Sequence, residues 1–514
     1  MQTPLGAKER AIVQININKI EAFERATPES VGVSSDKVLD FIRTLDECKM
    51  HTHSIIMARG EKIFAECYYK PFDEKFLHRM YSVSKSFVAV AVGLAITEGL
   101  IGYDDIITDY FPEFKNENID EHYEKCTVRD MLMMRSNIAG SVNWWGKFTS
   151  RVEAYYSQKT NKISGTLYTY DSIGSFLLGC IIEKLTGKTF LEYLKEKVLL
   201  KMGFSEESYV LREPGGYAIG DSGVMCTSRD LLIFSRLIMR GGEWGGIQYI
   251  DREFMENAIK KQVSNHHTGS FDSYNTRGYG YLIWKTHEDG FSLVGMGDQL
   301  AICDTVRDFV FIITSDNQAE KAARHVLYHE LYKHFLPQIF NTTLPENHAS
   351  YKKLEEYLSK SELVTQSGNR TSEFESKVFG AKYIAMDNAL GISDFEISTN
   401  DGEGELKFTK SGKPLSLKFG ICKNKLTAFS FGERAKSDMM GIYIEGSYDC
   451  AVSAAWTEEH TFAIMAQVID TYFGCLNINI CFKDDGATLR MTRSGQYVFD
   501  GIEGFIIAKK ENRK

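Results

Sequence analysis

The chain has 514 residues, 43% hydrophobic and 25% charged, with a formal net charge of -9. That is too long for one ordinary domain and leaves room for two to four, in a globular rather than disordered composition. The negative charge is spread along the chain, which argues against nucleic acid or an anionic membrane as partner, because both call for basic patches.

The first residues, MQTPLGAKERAIVQININKI, hold no apolar core of signal-peptide length, so a cytoplasmic protein is expected. The longest apolar run, residues 87–96, is about half of what a bilayer needs and reads as a buried core helix. Ten cysteines lie between Cys48 and Cys481 without a C-x-x-C pair, which predicts reduced thiols rather than a disulfide framework or a zinc site.

In chain order, "HSIIMARGEKIFAECYY" (53–69) reads as a hairpin turning at Arg59-Gly60. A helix follows from about Ser82. Thr127, with Asp130 three residues on, marks a capping-box start. "SIGSFLLGCIIEKLTGKTFLEYLKEKVL" predicts a helix, a stop at Gly187 and a second helix. "TSRDLLIFSRLIMRGGEW" repeats the pattern, with Ser228 as cap and Gly241-Gly242 as stop. "GYGYLIW", "FSLVGMGDQLAICD" and "DFVFIITSD" read as successive strands. Residues 341–374 are polar and charged and read as a linker with one exposed helix. Residues 375–514 alternate strands and tight turns such as Asp401-Gly402 and Asp485-Gly486, which predicts a separate antiparallel β domain, barrel-like or curled. The first unit, residues 1–340, mixes helices and strands.

The segment "YSVSKSF" carries the clearest chemistry. Serine is a poor nucleophile until a base takes its proton. Ser82 and Lys85, three apart at a helix start, share a face, and helix N-terminal amides favour negative charge. A lysine desolvated beside an apolar helix can accept a proton. The same spacing recurs at Ser34/Lys37 and Ser350/Lys353, where a surface cap is the plain reading. Ser82/Lys85 alone precedes a helix apolar nearly all round. Downstream, Tyr170-Asp171-Ser172 stands just before another helix, and a tyrosinate beside a lysine can act as general base.

Four blocks, "YSVSKSF", "YDSIGSFLLGCIIEKLTGK", "GDSGVMCTSRDLLIFSRLIMRGGEW" and "GMGDQLAICDTVRDFVFIIT", occur in the order seen in one serine hydrolase family. The chain resembles that family over roughly residues 25–340: class C β-lactamases, penicillin-binding D-amino-acid peptidases, related esterases and 6-aminohexanoate-dimer hydrolases. The resemblance implies an α/β (α+β) fold, an antiparallel sheet flanked by helices with a helical subdomain, and no cofactor or metal. It implies Ser82 as nucleophile, Lys85 as its activating partner and Tyr170 as the tyrosine of a Y-x-N motif whose third position is here Ser172. It implies an oxyanion hole from the Ser82 N–H and one at Gln299. Trp144 and Trp145 fall in the segment that often walls the active site in this family, where substrate contact and plain packing stay open. The C-terminal domain resembles the lipocalin-like domains appended to some relatives, and its role stays open.

The third motif departs from the family. Where K-T-G or His-x-Gly is usual, this chain has Met296-Gly297-Asp298-Gln299. The cation that holds a substrate carboxylate is gone, and Asp298 is expected to repel one, so weak or no β-lactamase activity is expected. The substrate class expected is a small ester, amide or short peptide, neutral or cationic near this strand. The rival is a catalytically weak, penicillin-binding-like ligand-binding or sensor protein. His325 and His329, at helical spacing in "HVLYHE", lack the Glu of a zinc-protease motif and read as ordinary helix histidines. Tyr168 competes with Tyr170 as base, but its spacing to "FLLG" disfavours it. Ester against amide and the oligomeric state stay open.

Overall fold

The structure is a computed structural model and describes residues 23–115, 119–139, 148, 150–268, 274–320, 322–430, 447–495, 498–499 and 501–511. The N-terminal half is built on a seven-stranded sheet. Its strands are β1 (Glu24–Arg25), β2 (Thr52–Arg59), β3 (Lys62–Tyr68), β4 (Trp284–His287), β5 (Gly290–Val294), β6 (Leu300–Asp304) and β7 (Phe309–Ser315). Their order is β1-β3-β2-β7-β6-β5-β4, antiparallel throughout except for the β1–β3 edge.

Both faces of this sheet are covered, which explains strands that are apolar without alternation. Ile55, Met57, Phe311 and Ile313 point into a cluster with α1 (Ser35–Glu47). Ile56, Ala58, Val310 and Ile312 point the other way, into the larger cluster that holds α2 (Ser84–Thr97), α3 (Ser172–Thr186) and α4 (Ser228–Met239). Every residue of α2 from Ser84 to Ala95 is buried, as its composition predicts.

Four local expectations change. The helix expected from Ser82 begins at Ser84, after a 3-10 turn at Tyr81–Val83. The cap of α4 is Thr227, whose hydroxyl accepts the Asp230 N–H in a capping box, and Ser228 is the first helical residue. "GYGYLIW" is not a strand, since only Trp284 at its end enters β4. The helix His348–Leu358 is not a solvent-exposed linker helix: Leu354 and Leu358 are buried in the α1 cluster. The Thr127–Asp130 capping box and the Gly187 stop, at φ 69°, are as read.

The C-terminal half is a closed nine-stranded barrel. Strands Lys382–Ala385, Ile392–Asn400, Glu403–Lys410 and Lys413–Ile421 run into a meander of Tyr448–Glu458, Thr461–Val468, Cys475–Lys483, Gly486–Ser494 and Gly504–Lys510. The last strand pairs with the first. A short parallel pairing, Gly420 with Ser453 and Ile421 with Ala454, closes the ring. Aromatic side chains fill the interior, among them Phe395, Phe408, Phe419, Trp456 and Phe462. All ten cysteines of the chain are free thiols. Among the described residues, no helix is long and apolar enough to cross a membrane.

The barrel docks on the sheet domain through an apolar cluster of Phe72, Tyr81, Leu363, Ala451 and Phe473. Beside it lie the buried His53 and His78 and the half-buried His51. His53 stacks on Phe72 at 4.0 Å and meets Phe473 edge-on at 4.8 Å. His78 Nε2 shares a hydrogen bond with Thr314 Oγ1 at 3.2 Å. Burial lowers His51 to about 4, against a hydrogen bond with Gln467, and lowers His78 to about 3, against one with the Phe76 backbone. It holds His53 well below its usual value, helped by the two neighbouring imidazoles. The fold therefore keeps these rings neutral while the unfolded chain binds protons from about pH 6.5 downward. Asp316, raised by burial to about 6, works in the opposite sense. Within this cluster three groups outweigh one, so its contribution to stability is full above about pH 6.5 and declines as pH falls toward 4. The thermal unfolding midpoint, followed by tryptophan fluorescence, should drop between pH 7 and pH 4.5, with a shallower slope in His51→Gln. A flat profile would contradict neutral burial.

Candidate active site

The Ser82 turn is held between two short pairings. His78–Arg79 runs antiparallel to Val224–Cys226, with Arg79 opposite Met225. Met80 N–H donates to Val224 O at 2.8 Å, and Val224 N–H donates to Ser84 Oγ at 3.0 Å. No side chain caps α2, so Ser82 is not the ordinary serine cap that the spacing alone allows. Its hydroxyl instead accepts from Lys85 Nζ at 2.9 Å. The residue before it, Tyr81, has φ 45°, a left-handed conformation unusual for a bulky side chain.

Lys85 is 1% exposed, the second residue of a helix buried from Ser84 to Ala95. Its ammonium also donates to the Asp221 carbonyl at 2.8 Å and lies 5.1 Å from the centre of the Tyr170 ring. Ser82, Lys85 and the Tyr170 ring therefore lie together. Tyr170 is positioned by the residue after it. The Asp171 carboxylate caps α3, accepting Ile173 N–H at 2.9 Å, Gly174 N–H at 3.2 Å and the Ser136 hydroxyl at 2.8 Å. Burial raises the Asp171 carboxyl against those three bonds. The Tyr170 ring stacks on Trp284 at 5.5 Å. Ser172, half-buried, is the first residue of α3. Tyr168 is buried with its ring 5.2 Å from that of Tyr279, a packing position.

The third motif is a hairpin turn, not a strand. Residues 295–299 link β5 to β6, with Gly297 at φ 74° and Asp298 at φ 67°. The turn lies against the Ser82 segment: a Cβ at Gly295 would stand 2.4 Å from Met80 O. The Gln299 side chain braces the turn, donating to Ser315 O at 2.5 Å and Met296 O at 3.2 Å. That leaves its backbone N–H, which has no acceptor among the described residues, as the group available to an oxyanion. Met296 is half-buried and packs on the interdomain cluster with Ile469 and Phe473. One expectation is corrected. Asp298 does not present an unbalanced charge, because Arg324 Nε donates to Oδ1 at 2.7 Å and Asn317 Nδ2 to Oδ2 at 3.1 Å. Trp144 and Trp145 lie outside the described residues.

Sequence reasoning missed the anchor of Lys85. The Asp221 carboxylate forms a bidentate pair with Arg151, at 2.6 and 3.0 Å, both side chains buried. Burial works to raise the Asp221 carboxyl, but the Arg151 cation, its hydrogen bonds and the Lys85 charge hold it below its usual value. Seventy positions separate the partners, so no local pattern reveals them. The sequence also held no sign of a group of exposed His329 and His334 with half-buried Glu330, whose ligand atoms lie within 4.8 Å of one another. A π-helical turn at Glu330–Phe335 brings it together, which the spacing of His325 and His329 does not show.

Removing one member of a buried ion pair strands the other charge, typically at about 3–5 kcal/mol. Asp221→Asn should lose about that much in urea unfolding. The double variant Asp221→Leu with Arg151→Met should recover most of it. Equal loss in single and double variants would contradict a stranded charge.

The family profile described as Beta-lactamase matches residues 40–332, more than half of the chain. The chain is similar to the 6-aminohexanoate-dimer hydrolase of Paenarthrobacter ureafaciens, 25% identical over 46% of this chain and 64% of that one. It therefore spans slightly under two thirds of that relative's length. It is also similar to penicillin-binding protein 4* of Bacillus subtilis (strain 168), 22% identical over 56% of this chain and 75% of that one. A solved structure of a putative 6-aminohexanoate-dimer hydrolase from Bacillus anthracis aligns at TM-score 0.49 and 19% identity, covering 62% of this chain and 87% of that one. With the family profile spanning the Ser82 turn, the Tyr170 segment and the third-motif hairpin, the chain belongs to the Beta-lactamase family.

Proposed function

We propose that the protein is a serine hydrolase that cleaves an ester or amide bond through an acyl-enzyme on Ser82. The observation that carries this reading is the 2.9 Å contact from the buried Lys85 ammonium to Ser82 Oγ. Ser82 Oγ attacks the substrate carbonyl. Its proton passes to Tyr170, acting as the tyrosinate beside the Lys85 cation, and from there to the leaving group. The Ser82 and Gln299 backbone N–H groups stabilise the oxyanion, whose charge develops only in the transition state. Water then attacks the acyl-enzyme, with the same pair as base.

Substrate class follows from the third motif. A thioether at position 296 cannot pair with a carboxylate, and this one packs toward the barrel. Arg324 is committed to Asp298 and to the Gly295 carbonyl, at 3.2 Å. A substrate that is neutral at this end fits, and a β-lactam carboxylate lacks its usual partner from the turn.

Ser82→Ala should cost roughly three to six orders of magnitude in turnover on the best substrate. A fluorophosphonate probe should add once, on Ser82, by intact mass and peptide mapping. Wild-type turnover in Ser82→Ala, or an adduct elsewhere, sinks the assignment. Nitrocefin should be hydrolysed far more slowly than short p-nitrophenyl esters or anilides. Comparable rates would refute the reading of Met296. Labelling at Ser82 without steady turnover on any ester, amide or peptide would favour a ligand-binding protein instead.

A further inference from the structure

The residue that precedes Ser82 is strained, and what restrains it comes from the other domain. A tyrosine at φ 45° persists only where its surroundings over-determine it. Here Phe473 N–H, on the barrel loop 469–474, donates to Tyr81 Oη at 3.3 Å. Phe473 and Ala451 of the barrel also pack in the cluster that holds the Tyr81 ring.

Arg79 joins this contact to the rest of the site. Its side chain is 1% exposed and forms no ion pair among the described residues. The guanidinium carbon lies 4.9 Å from the centre of the Tyr81 ring and 4.7 Å from that of Tyr472, so the cation is sandwiched between a residue of the nucleophile turn and a residue of the barrel. A desolvated cation over aromatic faces is strongly held. Its Nε–H donates to Ser222 O at 3.0 Å. Ser222 follows Asp221, whose carbonyl anchors Lys85. On the third side, Gln318 Nε2 donates to both Phe473 O at 3.2 Å and Asp316 Oδ1 at 2.8 Å, next to the Asn317 that braces Asp298. The barrel loop thus touches the segments carrying Ser82, Lys85 and Gln299 without itself being exposed: Tyr472 is 2% and Phe473 0% accessible.

We propose that Arg79 is a positioning residue through which the barrel loop 469–474 holds the Ser82 turn and the Lys85 anchor in register, so that turnover depends on Tyr472. The proposal rests on Ser82 as nucleophile. A planar guanidinium is required, because an ammonium can neither stack between two rings nor keep the Nε–H bond.

The test uses the full chain with Tyr472→Leu, Tyr472→Phe and Arg79→Lys. The readouts are kcat and KM on the best ester, the second-order rate of fluorophosphonate labelling at Ser82, and the thermal midpoint. Loss of register should lower kcat and the labelling rate by about tenfold to a hundredfold in Tyr472→Leu and Arg79→Lys. KM should stay within about twofold, because these side chains do not touch substrate. Tyr472→Phe keeps the ring and should retain most of the activity. A folded Tyr472→Leu that labels at the wild-type rate overturns the proposal. So does a Tyr472→Phe variant as impaired as Tyr472→Leu. If Tyr472→Leu does not fold, Arg79→Lys decides, and wild-type labelling in that variant overturns it equally. Wild-type protein that takes no adduct on Ser82 refutes the nucleophile instead, which separates the two failures.

Discussion

The site depends on one buried cation. Lys85 sits in the first turn of a helix buried from Ser84 to Ala95, and its ammonium has two hydrogen-bonded oxygens, the Ser82 hydroxyl and the Asp221 carbonyl. A buried ammonium is tolerated only when it is hydrogen-bonded. The fold therefore has to bring residue 221 to within reach of residue 85 and keep it there. The Arg151–Asp221 pair, the His78–Arg79 pairing with Val224–Cys226 and the Ser84 bond to Val224 all serve that end. Tyr170 is placed by a separate device, the Asp171 cap on α3.

The same sheet sets the second wall. Because β5 and β6 are buried on both faces, the hairpin that joins them has little freedom. Gly295 must be glycine for the turn to approach Met80 so closely. Two consecutive left-handed residues then lead the chain into β6, with the Gln299 side chain tied to Ser315. In this chain the turn has exchanged a cation for an apolar contact. Met296 faces an interdomain cluster where a substrate carboxylate would otherwise be met, and Asp298, which looks repulsive in sequence, is neutralised by Arg324. The charge of the turn is thus balanced, and the interdomain cluster packs against Met296.

Much of this was legible beforehand because it is local. An unbroken apolar helix after Ser82, a capping carboxylate after Tyr170 and strand-turn alternation beyond residue 375 each reflect neighbours in sequence. The errors were local too. Thr227 and Ser228 both satisfy the pattern of a cap, and the backbone alone chooses between them. "FSLVGMGDQLAICD" is apolar enough to read as strand, yet Gly297 and Asp298 at positive φ turn it back on itself. The helix His348–Leu358 looked exposed because only two of its leucines enter the core.

The sequence by itself determined which side chains can do chemistry and roughly which element carries each, since helix faces and turn residues are properties of short windows. The tertiary structure alone decided what surrounds them. Arg151 with Asp221, Arg324 with Asp298 and Arg79 between Tyr81 and Tyr472 join residues from 26 to nearly 400 positions apart. Such pairs arise when burial forces isolated charges to find partners, and a window of sequence contains no record of which partner the fold will bring.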